Sequence, residues 1–224
     1  MGTVYGTHKM LDRFMRPLTL TTTPSGGEFG WTLKDNSSAG APTFLCVSGE
    51  GLVGTLAASD EAEVLTAYQN NVLPFLLNKL KRIKILAKAA AFDAVTSAVL
   101  GIGSAQADDT DTMSINAWFK IVGGAANANT VVVETDDNTT NDDDNATGKS
   151  LGTTLKEMVI DFSEGLSKVR FIFDGDPVGT YYDMSAAAAT DKVQLFIQHQ
   201  KASGTGVGVL TIRSVEVEYA SAEG

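Results

Sequence analysis

The run Val169 to Val178, reading Val-Arg-Phe-Ile-Phe-Asp-Gly-Asp-Pro-Val, constrains the fold more than any other stretch of this chain. Val169, Phe171 and Phe173 alternate with Arg170, Ile172 and Asp174. A strand sends successive side chains to opposite faces, so this alternation predicts a strand with one face buried. Asp174-Gly175 then turns the chain, because glycine tolerates the positive φ of a tight hairpin.

The same signature recurs from Glu28 onward, where short apolar runs alternate with Gly, Ser, Asp and Asn clusters. Thr43 to Ser48 and Gly51 to Ala57 flank Gly49-Glu50 and read as a hairpin. Ile83, Ile85 and Ala87 alternate with Arg82, Lys84 and Lys88, and Ile115, Ala117, Phe119 and Ile121 with Asn116, Trp118 and Lys120. Val131 to Glu134, Met158 to Phe162 and Val193 to His199 follow suit. Leu210 and Ile212 stand in one phase and Val215, Val217 and Tyr219 in the other, so a β-bulge is expected at Arg213-Ser214. Short strands at this spacing predict a sandwich rather than βαβ units. Two segments pull towards helix on local propensity. Ser59 to Leu80 has Asp60 and Glu63 placed like a capping box, limited by Pro74, and Ala87 to Leu100 is rich in alanine. Asp183 to Thr190 reads as a short helix or a loop turn.

With 224 residues, 43% of them apolar, the chain can build one large all-β domain. A formal charge of −10 speaks against a nucleic-acid partner and against adhesion to anionic membranes. Met1 to Arg16 contains no apolar h-region, so no Sec-type address is expected. Cys46 is the single cysteine and reads as a small buried strand residue.

The chemistry-bearing residues are few. His8 and His199 are the two imidazoles, and His199 falls in the inward phase of Val193, Leu195 and Ile197, as a structural histidine would. No nucleophile elbow, P-loop, His-Glu-x-x-His or Cys-x-x-Cys occurs. Glu134, Asp136, Asp137, Asp142, Asp143 and Asp144 crowd one hairpin region without the turn glycine and distal glutamate of an EF-hand. A solvated acidic tip is expected there and in the second acidic turn, Asp108, Asp109 and Asp111; no metal or cofactor is expected. Trp31 and Trp118 are candidate sugar-stacking platforms, though isolated aromatics more often serve core or interface.

Residues 1–20 differ from the rest. Lys9, Arg13 and Arg16 face Asp12 alone, making the segment net positive on an acidic chain, and Tyr5, Met10, Leu11, Phe14 and Met15 add apolar handles of no regular period. We read it as an N-terminal arm preceding a domain at 21–224. The arm is expected to leave the body and dock on a neighbouring subunit through Tyr5, Arg13, Phe14 and Arg16. The runner-up is that the arm caps its own domain.

The Val169 to Val178 hairpin resembles that of concanavalin A-like jelly rolls, the laminin-G and legume-lectin type of sandwich. Further stretches resemble virion surface proteins of tailed bacteriophages. These are Gly30 to Asp35 with Gly40 to Thr43, Val72 to Phe75, Asn116 to Phe119, Val132 to Asp137 and Phe173 to Gly175. The resemblance implies an all-β antiparallel jelly roll with at most one or two short helices, and makes strands of most of both ambiguous segments. It implies a capsid decoration protein, made in the host cytoplasm and placed on the capsid surface. The expected partners are the major capsid protein or other virion subunits, with a homo-oligomer, a trimer favoured. The alternative is a carbohydrate-binding or receptor-binding module, with Trp118 and the acidic loops at the site. Many glycosidases of this fold carry Glu-x-Asp-x-x-Glu on one strand; here Glu134 and Asp136 match and Thr139 replaces the second glutamate. With that acid missing, the chain is expected not to be an enzyme.

Overall fold

In the computed structural model, which describes residues 7–15, 18–24, 29–124 and 128–220, the two-residue periods become antiparallel strands. In chain order these are β1 (Thr7–Asp12), β2 (Leu18–Thr19), β3 (Thr32–Asp35), β4 (Thr43–Val47), β5 (Gly51–Thr55) and β6 (Glu63–Tyr68). Then come β7 (Phe75–Leu76), β8 (Leu80–Ala90), β9 (Thr96–Gly103), β10 (Ile115–Val122), β11 (Thr130–Asp137) and β12 (Asn141–Ser150). The last five are β13 (Lys156–Asp161), β14 (Val169–Phe173), β15 (Asp176–Tyr182), β16 (Lys192–Lys201) and β17 (Val209–Ala220). Among the described residues, helix is limited to single 3₁₀ turns such as Leu77–Lys79, Thr110–Thr112 and Leu166–Lys168.

Two sheets form. One runs β15-β14-β13-β8-β17-β5-β4-β2 with β1 added beside β17; the other runs β12-β11-β10-β9-β16-β6-β3 with β7 added beside β16. Their facing sides enclose the core. Val169, Phe171 and Phe173 from the first sheet and Val193, Leu195 and Ile197 from the second are all buried, as their shared period predicts. Phe171 meets Phe119 of the opposite sheet edge-on, with ring centroids 5.1 Å apart. The hairpin at Gly49-Glu50 forms, and β17 shifts register against β8 between Ile212 and Ser214, where the phase slip falls.

Ala87 to Leu100 is strand for most of its length, whereas Ser59 to Leu80 is strand only at Glu63–Tyr68, Phe75–Leu76 and Leu80, with turns and a 3₁₀ turn between, so the expectation of strand over most of it is corrected. Leu65 and Ala67 in β6, and Ala87 and Ala89 in β8, point into the core, and burial between two sheets outweighs a helix preference of about 1 kcal/mol or less per residue. Residues 183–190 form turns rather than a helix.

The amino-terminal segment takes the runner-up arrangement over its described residues. Thr7–Asp12 pairs with β17 of the same chain, with His8 opposite Tyr219 and Met10 opposite Val217. Beyond the strand, Phe14 turns into the core, 4% exposed. Its backbone N–H donates to Asp12 Oδ1 at 2.8 Å, and the indole of Trp31 donates to Asp12 Oδ2 at 3.0 Å. Two buried aromatics and a carboxylate thus tie the segment to its own domain, so the expectation that it leaves the body is corrected from Thr7 to Met15.

The eight-stranded sheet is covered on its outer side as well. β16 is buried on both faces from Val193 to His199. The cover is the segment 104–114, which crosses from β9 to β10 over the outward side chains Trp118 and Phe196. Met113 from this strap joins Val99, Trp118 and Phe196 in a small apolar cluster separate from the main core. Glycine makes the close approach possible, since a Cβ at Gly103 would stand 2.6 Å from Met113 Sδ.

Candidate functional site

The strap and the β11–β12 turn create a cleft at one end of this outer face. It has a volume of about 280 Å³ and is lined by Asp111, Thr112, Met113 and Ser114 on one side and Asp136, Asn138, Thr139 and Asn141 on the other. The two acidic turns that are far apart in the sequence therefore share one opening.

Each wall is held by turn hydrogen bonds of its own and by groups from distant parts of the chain. On the strap, Asp109 accepts the N–H of Asp111, and Met113 N–H returns to the carbonyl of Thr110. Asp108 is anchored by Lys34 at 3.0 Å and by Asn36 at 3.0 Å, Gln106 N–H donates to Asn71 Oδ1 at 2.9 Å, and Gln198 donates to the carbonyl of Ala107 at 3.0 Å. On the facing wall, Asp137 is buried and accepts the N–H groups of Thr139 and Thr140 through Oδ1 and that of Ala186 through Oδ2. Asp137 is a turn anchor, which leaves Asp136 to face the cleft.

Beside the cleft, on the same two strands, lies a patch of buried polar side chains. Trp118 pairs with Glu134 and Asn116 with Asp136 across β10 and β11. Asn116, Trp118 and Glu134 are each no more than 1% exposed. Asn116 Nδ2 donates to Glu134 Oε1 at 3.3 Å and lies 3.5 Å from the carbonyl of Met113. Asn116 Oδ1, Glu134 Oε2 and Trp118 Nε1 find no hydrogen-bond partner.

The charges in this corner repel one another. Burial pushes the Glu134 carboxyl up to about 7; the nearby Trp118 indole and Lys120 ammonium oppose this, while Asp111 and Asp143 reinforce it. The Asp136 carboxyl is also raised, by partial burial first and then by Asp137 and Asp143, against the N–H of Asn138. Lys120 is already paired with Asp144 at 2.9 Å. Glu134 is thus a carboxylic acid that holds its proton close to neutrality, beside a carboxylate on the same strand face.

Of the residues singled out from sequence, the structure gathers Glu134, Asp136, Thr139, Asp111 and Trp118 into this corner. Trp118 lies under the strap and presents no open stacking face, and Trp31 is in the core with its N–H on Asp12. Thr139 does line the cleft, at the position of the missing glutamate. His199 is fully buried, stacked on Phe92, and His8 stacks on Tyr219 at the far sheet edge. Of the expected interface residues, Arg13 is exposed, Phe14 is buried, and Tyr5 and Arg16 lie outside the described residues. Among the described residues, no three His, Cys, Asp or Glu side chains converge as metal ligands.

No protein-family model matches the chain, and no curated protein matches it by sequence. Solved structures do match. A β-1,3-glucanase from Mycobacterium marinum superposes with a TM-score of 0.60 at 13% identity, over 93% of this chain and 97% of that one. The carbohydrate recognition domain of Emp47p gives 0.57 at 9%, over 94% and 97%. A structure described with endo-acting O-glycanases of the human gut microbiota gives 0.61 at 10%, over 95% and 98%. The chain folds as a concanavalin A-like jelly roll. At these identities the likeness is one of fold, and none of it points to a virus particle. It does correct one expectation. The exclusion of catalysis rested on Thr139, yet the same sandwich serves a glucanase and O-glycanases, so the absence of a glutamate at that position does not exclude an enzyme.

Proposed function

We propose that this chain is a carbohydrate-binding jelly-roll domain whose binding site is the cleft between the strap and the β11–β12 turn. The observation that carries this is a polar cleft of about 280 Å³ on the outer face of the eight-stranded sheet, lined by the side chains of Asp111, Ser114, Asp136, Asn138, Thr139 and Asn141. Sugar hydroxyls both donate and accept, which suits a wall of carboxylate, amide and hydroxyl groups. The glucanase and carbohydrate recognition domain that share the fold support the same reading. The capsid decoration role expected from sequence finds no support in the cleft or in the neighbours.

Calorimetric titration with a panel of soluble neutral and amino oligosaccharides tests this. Binding to the intact chain is expected, with loss in Ser114→Trp, which fills the cleft, and retention in Leu45→Ala on the other sheet. Failure of every oligosaccharide to bind would remove the reading.

A second reading, glycoside cleavage, is favoured by the Glu134-x-Asp136 spacing on β11 beside the cleft and by the fold shared with a β-1,3-glucanase. It predicts release of reducing ends that is lost in Glu134→Gln.

A further inference from the structure

The outer face of the eight-stranded sheet carries one register row that the strap crosses. Glu134 pairs with Trp118, Trp118 with Gly101, Gly101 with Phe196, Phe196 with Tyr68 and Tyr68 with Thr32, one residue on each of six adjacent strands. At about 4.8 Å per strand the row spans about 24 Å. Glycine makes room at its centre, where a Cβ on Gly101 would stand 2.7 Å from Trp118 Cβ, and the indole lies 6.2 Å from the Phe196 ring. The cover is thin. Of residues 104–114, Thr110 and Met113 alone are buried, and the strap belongs to neither sheet. Its middle is held by polar contacts: Asp108 with Lys34, whose side chains are 32% and 41% exposed, Gln106 N–H with Asn71 Oδ1, and Gln198 with the carbonyl of Ala107. Along the same face Trp118 Nε1, Thr32 Oγ1 and Gln198 Oε1 find no hydrogen-bond partner. A segment with few buried contacts and exposed hydrogen bonds opens more readily than the sheet it crosses.

Resting on the carbohydrate reading above, we propose that the strap is a displaceable cover that sorts sugar chains by length. A chain short enough for the cleft binds with the strap closed, between Asp111 and Ser114 on one wall and Asn138 and Thr139 on the other. A longer chain lifts the strap, gives up that wall and lies along Trp118, Phe196 and Tyr68. Aromatic faces with polar atoms at their margins suit the C–H faces and hydroxyls of pyranose rings. In the closed form Met113 packs on Trp118 and Phe196 and holds that place. The strap is therefore a competitor of the long ligand, whose affinity is reduced by the fraction of molecules that are open.

Trp31→Phe leaves Trp118 as the sole tryptophan and a reporter of the strap. In that background acrylamide quenching of the buried Trp118 is expected to be weak. It should rise about threefold or more on adding Asp108→Ala or Lys34→Ala, with cooperative melting retained. Two-unit and six-unit oligomers of β-1,4-linked glucose and of N-acetylglucosamine would then be titrated into all three proteins. Both strap variants should bind the six-unit chains about fivefold tighter and the two-unit chains more weakly, because opening exposes the row and removes a wall of the cleft. In the Trp31→Phe protein itself the six-unit chains should change Trp118 emission and the two-unit chains should not, a comparison that stands even if a strap variant fails to fold. Trp118 shielded equally in all three folded proteins, or both lengths shifting in the same direction, overturns the inference and leaves carbohydrate binding standing. Binding of no oligomer to any of the three overturns this inference and the proposed function together.

Discussion

Trp118 and Glu134 are register partners on β10 and β11, both fully buried, yet the indole N–H and one carboxylate oxygen are left without hydrogen-bond partners. Their proximity lowers the Glu134 pKa without overcoming burial, which holds the carboxyl at about 7.

That relationship predicts a pH-dependent stability. The unfolded chain ionises Glu134 near its ordinary value of 4.5, while the folded chain keeps the proton to about 7. The folded state therefore binds more protons in this window, and stability falls as pH rises from 4.5 to 7, then levels off. The fall attributable to this group is on the order of 3 kcal/mol. Urea unfolding of the intact chain and of Glu134→Gln across this range should show their difference changing with pH; a constant difference would exclude the effect.

His199 predicts a trend of opposite sign. Burial lowers its pKa below 6.5, and its two ring nitrogens lie 2.9 Å from the carbonyl of Gly208 and 3.2 Å from that of Ser97. The folded state keeps the ring neutral while the unfolded chain protonates it, so its contribution is intact above pH 6.5 and is lost as pH falls below that value. His199→Gln should flatten the loss of stability on acidification. An acid limb identical in the two proteins would count against this account.

Lys201 and Glu63 form a buried ion pair at 3.6 Å. The lysine donates to the carbonyls of Ala57 and Ser59 at 2.6 and 2.7 Å, and Glu63 accepts the Ala57 N–H at 2.9 Å. Glu63→Gln leaves the ammonium buried without its counter-charge and should cost about 3–5 kcal/mol. The double change Glu63→Gln with Lys201→Met should recover much of that loss. Chemical denaturation giving a single-variant loss under about 1 kcal/mol would show that the pair is not a strong structural link.

Asp12 ties the amino-terminal strand to Trp31 and Phe14. Asp12→Ala should cost about 1–3 kcal/mol by leaving the indole N–H unpaired. Deleting residues 2–16 should lower the melting temperature of the isolated chain and expose Trp31, seen as a red-shifted emission. A deletion that melts unchanged would return the segment to the role of a free arm.

The inner strand faces are legible in the sequence because a two-residue period leaves little choice. Val169, Phe171 and Phe173 have to point the same way, and water drives that way inwards. The phase slip near Ser214 is legible for the same reason. The alanine-rich end of β8 is harder to read, because helix propensity is local and the sheets that bury Ala87 and Ala89 are not.

The site is half visible. Glu134, Asp136 and Thr139 carry a recognisable spacing, but Glu134 reads from sequence as the root of a solvated acidic tip. The outward row Gln194, Phe196 and Gln198 on β16, beside Trp118, is the one trace that this face is covered. By itself the sequence determined the strands, their inward faces and the turns between them, all of which follow from neighbours in the chain. Only the tertiary structure decided that the 104–114 strap closes over Trp118 and brings Asp111 opposite Asp136. That closure depends on contacts such as Lys34 with Asp108 and Gln106 with Asn71, between residues distant in sequence, and no local period encodes them.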